Sequence, residues 1–526
     1  MNQPIPASGP FNAAVDLLSR NLVDKADKVA FIDAEGAHTY AEVATRAART
    51  GAALRGLGLA PGDRIVLVLQ DSVDFVCAFL GAIRAGLIPI PLNTLFAADD
   101  YAYILTDSDA RLALVSTPLL EAVQAAITLS GWNGQVVTCG ANGSDLDLAA
   151  LVTRAATPEA PHASLGDDIA FWLYSSGSTG RPKGTLHRHA SLWHTAELYS
   201  RQVFGLRDTD VVFSAAKLFF AYGLGNGLTF PMHAGATCIL MAERITPEVA
   251  AGVIRDHQVS VFCGVPTLFG AMLAADQAPR PGKGPGKGAL RLCMSAGEAL
   301  PAALGSAWSQ VTGTEIVDGI GSTEMLHIFV SNRPGAVRYG ATGLPTPGYE
   351  VRLVGEDGAE VGPGEIGELH VRGPSMAAGY WNQPEKTAAT FIEGWVRTGD
   401  KFEIDIEGLL YHRGRADDML KVSGIWVSPG EVENALLAHP SVLEAAVIGV
   451  TDPSGLVKSK AFVVTRPGVD ASPGLAAALT AFTKARLAAY KYPRQIAFVT
   501  ELPKTATGKI RRHVLRELEA AKAARG

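Results

Sequence analysis

The chain has 526 residues, 48% of them hydrophobic, and a formal net charge of −6 at pH 7. A chain of this length exceeds what one hydrophobic core usually serves, so we expect at least two globular domains. The small acidic excess argues against a nucleic-acid binder that relies on bulk positive charge, and the expected partners are therefore small molecules.

The N-terminal part, as far as about residue 330, alternates between helical and strand patterns. This alternation is typical of an α/β protein with helices packed on both faces of largely parallel sheets. Pro247 and Pro301 are expected in the first turns of their helices. The predicted helices cover residues 73–84, 247–257 and 301–311, and the predicted strands cover 64–69, 87–92, 111–116, 169–174, 210–215, 259–265 and 290–295.

The rest of the chain changes character twice. In residues 343–412, short apolar runs separated by Gly/Pro-rich turns predict a small, mostly antiparallel β-rich subdomain. After Arg415, mixed helix and strand patterns predict a compact α+β unit of about a hundred residues, a size typical of an independent domain. We therefore predict an N-terminal domain over residues 1–416 and a small mobile C-terminal domain over 417–526. The latter's predicted helices are 429–438, 474–487 and one from 510, and its predicted strands are 442–450, 458–464 and 496–499.

The cysteines and the chain ends predict the compartment. Five widely spaced cysteines without a Cys-x-x-Cys pair suggest buried apolar residues in a reducing environment, not a disulfide framework or a zinc site. No basic and apolar leader is seen at the N-terminus, no peroxisomal signal at the C-terminus, and no apolar run of about eighteen residues between them. We expect a cytoplasmic protein without membrane attachment. The oligomeric state stays open, with a homodimer as one alternative.

One segment, Ser175-Ser176-Gly177-Ser178-Thr179-Gly180-Arg181-Pro182-Lys183-Gly184, follows directly on a predicted buried strand. Its glycines let the backbone approach an anion, its hydroxyls are donors, and its two cations offset negative charge. It is not a Walker A loop, because Pro182 precedes the lysine and Gly184 follows it. A mobile linker rarely follows a buried strand, so we predict a loop that grips a polyphosphate. A kinase, an ATPase and a ligase all remain open.

Further motifs narrow the chemistry. In Asp318-Gly319-Ile320-Gly321-Ser322-Thr323-Glu324, a hydroxyl can donate to phosphate and a carboxylate offers the hard oxygen that Mg²⁺ prefers. A carboxylate in a tight turn, Asp400, can accept hydrogen bonds from ribose hydroxyls. Other motifs are Gly414-Arg415-Ala416-Asp417-Asp418, Gly379-Tyr380-Trp381-Asn382, and the segment 503–512 with Lys509 at the start of the last predicted helix.

In this order and spacing, the motifs resemble those of the adenylate-forming family of acyl-CoA synthetases, adenylation domains and luciferases. The resemblance implies that a carboxylic acid displaces pyrophosphate from ATP to form an acyl-adenylate, and that a thiol then displaces AMP. It implies ATP, Mg²⁺ and coenzyme A as cofactors or co-substrates.

The resemblance also implies a role for each matching residue. Lys509, Thr323 and Glu324 would be catalytic, with Glu324 also the magnesium ligand. Asp417 would be the hinge about which the small domain rotates. The coenzyme A arm would pass Ser423, Gly424 and Trp426. ATP or AMP would be bound by Ser175, Ser176, Gly177, Thr179, Gly180, Lys183, Ala296, Gly297, Glu298, Asp318, Gly319, Gly321, Ser322, Asp400 and Arg415.

The choice of acid depends on residues 217–226, where large aromatics adjoin small residues, as suits a flat pocket. With residues 325–329 and 422–426, this run resembles the benzoate–CoA ligase branch of the family. Phe219 and Phe220 stand where many members have a His or Trp gate, which favours an aryl acid over a long-chain one. By this resemblance the pocket is lined by Ala221, Tyr222, Gly223, Gly321, His327 and Ile328.

The prediction is therefore an ATP-dependent ligase that joins an aromatic acid, benzoate first, to coenzyme A. Hydroxy-, halo- or aminobenzoates are alternative substrates. Transfer to a carrier-protein thiol is a second alternative, although no carrier-like segment with an attachment serine is seen at the end of the sequence. A nucleotide sensor without turnover is a third, and the presence of both Glu324 and Lys509 argues against it.

Overall fold

The computed structural model describes residues 9–140, 146–155, 160–175, 181–280, 290–416, 418–422, 425–451, 457–487, 491–504 and 510–523, and of residues 421, 422, 425, 426 and 523 it describes the backbone alone. Within these ranges, every helix is too short or too polar to cross a membrane.

The strands are described first, in chain order. They are β1 Val29–Asp33, β2 Gly36–Thr39, β3 Arg64–Val68, β4 Ile88–Pro91, β5 Leu112–Ser116, β6 Gln135–Cys139, β7 Ile169–Ser175, β8 Lys183–Arg188, β9 Val211–Ser214, β10 Thr237–Ile239, β11 Val261–Gly264, β12 Leu292–Ser295, β13 Ile316–Gly321, β14 Ile328–Ser331, β15 Leu344–Pro345, β16 Glu350–Val354, β17 Ile366–Arg372, β18 Phe391–Ile392, β19 Trp395–Ile404, β20 Leu410–Arg415, β21 Leu420–Val422, β22 Ile425–Val427, β23 Val442–Thr451, β24 Val457–Thr465 and β25 Gln495–Phe498.

The α-helices lie between these strands. They are α1 Ala13–Ser19, α2 Tyr40–Gly56, α3 Val73–Arg84, α4 Ala98–Asp107, α5 Leu120–Ser130, α6 Leu148–Arg154, α7 His189–Thr195, α8 Ala221–Leu224, α9 Phe230–Ala234, α10 Pro247–Asp256, α11 Pro266–Ala274, α12 Ala302–Thr312, α13 Pro384–Thr390, α14 Pro429–Leu437, α15 Pro473–Lys484 and α16 Arg512–Ala523. Two π-helical stretches, Ala196–Phe204 and Gly225–Thr229, and two 3₁₀ turns, Thr117–Leu119 and Thr323–Met325, complete the set.

Two sheets form the N-terminal α/β layers. The larger has the order β15-β14-β13-β12-β11-β9-β10-β1-β2, and the smaller has the order β4-β3-β5-β6. Pairing is parallel throughout the smaller sheet and from β13 to β1 in the larger one, which has antiparallel strands at both edges. The predicted α/β class is confirmed, with parallel pairing restricted to the inner strands of the larger sheet.

Two local expectations differ from the structure. The strand before the phosphate loop, β7, pairs antiparallel with β8 in a separate hairpin instead of joining a parallel sheet. Pro301 is the residue before α12, whereas Pro247 opens α10 as predicted. Proline is tolerated at both positions because neither needs a backbone N–H for a helical hydrogen bond.

The later sheets are smaller. Strands β16, β17, β19, β18 and β20 form one antiparallel sheet, as the Gly/Pro-rich turns predict. Beyond them, β23 pairs antiparallel with β24, which pairs parallel with β25. The helices α14, α15 and α16 accompany this last sheet. The domain boundaries proposed from the sequence stay predictions.

All five cysteines are buried with free thiols, as predicted. Burial raises the pKa of Cys77 to about 12, so this thiol stays protonated at neutral pH.

Helix α3 lies in the main core and is buried on nearly all its sides from Val73 to Ile83. Glycines let α2 approach it closely. A Cβ on Gly51 would lie 2.6 Å from the carbonyl oxygen of Gly81, and a Cβ on Gly81 would lie 2.5 Å from that of Ala47. Because both obstacles are backbone atoms, neither can move aside without separating the helices.

We predict that Gly81→Ala destabilises the protein by about 1–3 kcal/mol, because the added methyl overpacks the contact between α2 and α3. Thermal unfolding should show a lower midpoint. Gly56→Ala is the matched control, because Gly56 ends α2 and its Cβ would meet nothing within 4 Å. Equal midpoints for the two variants would contradict this account of the packing.

Candidate active site

The hairpin of β7 and β8 holds both ends of the predicted phosphate loop. Ser175, the last residue of β7, is paired with Lys183, the first residue of β8. The core of β7 is buried, which fixes the hairpin against the protein. Ser176, Gly177, Thr179 and Gly180 lie outside the described residues. The two ends of the loop are thus brought together at a rigid base, as a loop that closes around phosphates requires.

Lys183 meets the predicted magnesium ligand at this base. Its Nζ donates to Glu324 Oε1 at 3.0 Å, although the two residues are 141 positions apart in the chain. The hydroxyl of Tyr380 donates to the same Oε1 at 2.6 Å and accepts from Lys183 Nζ at 2.7 Å. Burial opposes ionisation of Glu324, but the charge of Lys183 and these hydrogen bonds lower its pKa below the usual value. The carboxylate is therefore ionised at neutral pH.

The backbone explains how Tyr380 reaches this place. The N–H of Ala378 donates to the carbonyl of Leu186, the N–H of Leu186 to that of Gly379, and the N–H of Trp381 to that of Gly184. Residues 378–381 thus run alongside β8 and are hydrogen-bonded to its edge. The motif Gly379-Tyr380-Trp381-Asn382 was visible in the sequence, but its contact with Lys183 and Glu324 was not predicted.

The same segment also secures the turn that carries Glu324. The N–H of Ala377 donates to the backbone carbonyl of Glu324 at 2.8 Å. The hydroxyl of Ser375 donates to the carbonyl of Met325 at 2.7 Å. Under this turn lies His187, which is fully buried, stacks on Phe171 with ring centroids 5.0 Å apart, and has its pKa lowered to about 3 by burial.

A single carboxylate beside a phosphate loop suits Mg²⁺. This ion commonly takes one or two protein carboxylates and completes its shell with substrate phosphates and water. Among the residues that the structure describes, there is no cluster of three or more His, Cys, Asp or Glu side chains that could hold a metal without a substrate. Glu324 could therefore hold the ion together with a bound nucleotide.

Some of the residues predicted to bind the nucleotide meet where the end of β12 lies beside β13. Ser295 at the end of β12 pairs with Asp318 in β13. Gly297 follows β12 with a φ of +90°, a conformation that favours glycine. Burial raises the pKa of Asp318 well above its usual range, opposed by hydrogen bonds from the N–H groups of Gly319 and Leu300. Thr267 donates to Glu298 Oε2 at 2.9 Å.

Asp400, predicted to bind ribose, and Arg415, predicted to bind the nucleotide, face each other across β19 and β20. Asp400 pairs with Arg415, and their side chains form an ion pair of 3.1 Å. Arg415 also donates to the carbonyl of Thr398 at 3.0 Å. The carboxylate of Asp400 is thereby held at the surface of the strand pair, where vicinal hydroxyls could bind it.

The residues predicted to choose the acid also come together. His327 Nε2 lies 3.4 Å from the carbonyl oxygen of Tyr222, and their ring centroids are 5.7 Å apart. The Tyr222 hydroxyl donates to the carbonyls of Gly264 and Met294, both at 3.1 Å. These bonds fix the ring of Tyr222 beside His327.

Two further aromatics surround His327, and the sequence did not reveal them. Tyr199 lies 5.6 Å from its ring and Phe230 lies 4.4 Å from it. Burial lowers the pKa of His327 to about 3, so its imidazole is neutral at physiological pH. Both residues belong to or adjoin π-helical stretches, for which no sequence pattern was recognised.

Two glycines allow the backbone to pack closely, one beside Tyr222 and the other beside His327. A Cβ on Gly223 would lie 2.0 Å from the carbonyl oxygen of Lys217, and one on Gly321 would lie 2.6 Å from that of His327. Gly321 pairs with Ile328 across β13 and β14. Ala221 and Tyr222 both pack against the main core. The predicted pocket residues thus come from α8 and from the β13–β14 pair.

The other predicted catalytic, hinge and coenzyme A residues lie wholly or partly outside the described residues. Lys509, Asp417, Ser423 and Gly424 lie outside the described residues, and of Trp426 only the backbone, in β22, is described.

Comparison with known proteins covers the full length of these motifs. Residues 18–381 match AMP-binding enzymes, and residues 431–509 match the AMP-binding enzyme C-terminal domain. The benzoate–CoA ligase of Thauera aromatica is 53% identical over 509 residues, which cover 96% of each protein.

Solved structures agree. A benzoate CoA ligase from Burkholderia xenovorans LB400 has a TM-score of 0.89 and 50% identity, covering 96% of this chain and 100% of that one. An anthranilate CoA ligase in complex with anthranoyl-AMP has a TM-score of 0.93 and 40% identity, covering 98% of this chain and 99% of that one.

The first family match alone spans more than half of the chain. The family predicted from the motifs is thereby confirmed. This chain belongs to the AMP-binding enzymes, the adenylate-forming family.

Proposed function

We infer that this chain is an ATP-dependent ligase that joins an aromatic carboxylic acid, benzoate first, to coenzyme A through an acyl-adenylate, with release of pyrophosphate and AMP. One observation carries the proposal. The lysine of a phosphate-type loop and a magnesium-type carboxylate lie 3.0 Å apart, and His327, close in sequence to that carboxylate, is enclosed by aromatic rings.

The chemistry of adenylation explains the charged side of this site. A carboxylate must approach the α-phosphorus of ATP while negative charge grows on the departing pyrophosphate. Lys183 and the loop from Ser175 would offset that charge on the β- and γ-phosphates. Thr323 would donate to the α-phosphate, and Mg²⁺ held by Glu324 would neutralise further phosphate charge. Fixed cations and donors at such a point lower the barrier because they need no reorganisation during the reaction.

The apolar side of the site suits an aryl ring. Neutral His327 and the rings of Tyr222, Tyr199 and Phe230 supply flat, weakly polar surfaces. A long flexible chain would leave gaps against these flat surfaces, whereas the planar ring of benzoate can pack against them with both faces. The named activities of the similar proteins, ligases of benzoate and of anthranilate, agree with an aryl acid.

The catalytic lysine, the hinge and most of the coenzyme A segment lie outside the described ranges. We propose that Lys509 bridges the acid and the α-phosphate during adenylation. A rotation about Asp417 would then replace Lys509 by the segment of Ser423, Gly424 and Trp426, which guides the thiol of coenzyme A. A cytoplasmic location and a homodimer stay predictions.

We predict that benzoate gives the highest kcat/KM in a panel of benzoate, hydroxy-, halo- and aminobenzoates and short fatty acids. Aliphatic acids should be at least roughly tenfold poorer, because they leave part of the aromatic pocket unfilled. AMP release in the presence of coenzyme A is the measurement, and mass spectrometry of the thioester confirms the product. Reactions without coenzyme A or without ATP are the controls. A preference for an aliphatic acid would refute the substrate assignment.

We predict that Lys509→Ala slows pyrophosphate release from ATP and benzoate by roughly 10²–10³-fold, because one charged donor to the reacting groups is lost. Thioester formation from preformed benzoyl-adenylate and coenzyme A should stay close to wild type. Lys504→Ala is the matched control, since Lys504 lies in the same motif and is paired with Glu444 at 2.6 Å. If Lys509→Ala slowed both half-reactions equally, its role would not be confined to adenylation.

A further inference from the structure

We propose that Tyr380 is a positioning residue for adenylation, whose hydroxyl holds the Glu324 carboxylate in place when Lys183 turns to the phosphates of ATP. This proposal rests on the proposed function and adds to it a residue for which the sequence suggested no role.

The contacts show how Tyr380 and Lys183 hold the Glu324 carboxylate. Its hydroxyl donates to Glu324 Oε1 at 2.6 Å, and Lys183 Nζ donates to the same oxygen at 3.0 Å. Neither donor is hydrogen-bonded to Oε2. Tyr380 and Lys183 therefore hold one oxygen of the carboxylate, Oε1. The other oxygen, Oε2, would be the one that binds a metal ion.

The two donors differ in what happens when ATP arrives. Lys183 carries a full charge on a flexible four-carbon stem, so its ammonium follows the phosphates. The bond from Lys183 to Glu324 is then weakened or lost. Tyr380 is neutral and has only two side-chain torsions, so the phosphates do not draw it away. Its hydroxyl keeps Oε1 in place at the moment when Glu324 is needed as a ligand.

Tyr380 is itself fixed on every side. It is 5% exposed, and its ring packs edge-on against Phe391 with centroids 5.4 Å apart. Its N–H donates to the hydroxyl of Thr387 at 3.0 Å, and its backbone bridges to Thr185 of β8. A side chain locked in this way can orient a neighbour, which a mobile one cannot.

The test compares Tyr380→Phe with wild type for binding of α,β-methylene-ATP, in which the bond that adenylation breaks cannot react. Isothermal titration calorimetry with and without Mg²⁺, and without any acid, gives the factor by which Mg²⁺ tightens binding. We expect Tyr380→Phe to lower this factor roughly tenfold or more, the effect of losing a hydrogen bond to a charged group. Tyr411→Phe is the matched control, because its hydroxyl donates to the remote carboxylate of Asp405.

A double-mutant cycle isolates the path through Glu324. In a Glu324→Gln background, Tyr380→Phe should change the Mg²⁺ factor no further if the tyrosine acts through that carboxylate. An unchanged or larger Mg²⁺ factor in Tyr380→Phe would overturn the proposal. So would an equal loss in Tyr411→Phe, or an undiminished effect of Tyr380→Phe in the Glu324→Gln background.

Two further measurements distinguish the positioning role of Tyr380 from a folding defect and from a failure of the proposed function. Thermal unfolding should show that Tyr380→Phe, which keeps the ring against Phe391, is folded. If it is not, Tyr380→Met provides the same comparison without a hydroxyl. Because the binding measurement contains no acid, it stands even if wild type releases no pyrophosphate with any aryl acid. A lack of pyrophosphate release with every aryl acid would reject the proposed function, but it would not reject the role of Tyr380.

Discussion

The site depends on one stretch of backbone, residues 375–381, which is hydrogen-bonded to two elements at once. On one side it extends the edge of β8, which begins with Lys183. On the other side it holds the turn of Glu324, through Ala377 and Ser375. The three elements are far apart in the chain, and none alone would place a cation beside a carboxylate. The contact of Lys183, Glu324 and Tyr380 is therefore set by main-chain bonds and by the Ser375 hydroxyl, none of which involves the three contacting side chains.

The pair at the centre of this arrangement is electrostatically balanced. The side chains of Lys183 and Glu324 are 20% and 15% exposed, so each charge is partly removed from water. An unpaired charge in such a place is strongly destabilising, and removal of one partner from a buried pair costs about 3–5 kcal/mol. Together the two charges cancel. In the proposed function, the phosphates and the metal would bring charges opposite to those of Lys183 and Glu324, so each partner would exchange one counter-charge for another.

The sequence predicted those parts of the fold that follow local rules. Helix α3 was predicted with the bounds that it has, because an uninterrupted apolar run from Phe75 to Ile83 defines it. Six of the parallel strands, β3, β4, β5, β9, β11 and β12, were predicted because buried strands are short and apolar, whereas β1, β6, β10 and β13 were not predicted. The antiparallel pairing of β7 was missed, since a strand pattern does not reveal its partner. Motif chemistry identified Lys183 and Glu324, but it could not show that they touch. Tyr380, Tyr199 and Phe230 were missed as site residues because their roles arise only from contacts between distant segments.

The phosphate side and the acid side of the site are joined by one tight turn. Glu324 lies in the 3₁₀ turn Thr323–Met325, and Leu326 follows with a φ of +66°, in the left-handed region that a leucine rarely adopts. Such a conformation costs of order 1–3 kcal/mol and persists only where the surroundings enforce it. Here it reverses the chain, so that Glu324 contacts Lys183 while His327 contacts Tyr222. An acid that displaced His327 would strain this turn and shift the carboxylate that faces the phosphates. Under the proposed function, the fit of the acid would therefore be coupled to the geometry of adenylation, and discrimination between acids would act on the first chemical step as well as on binding.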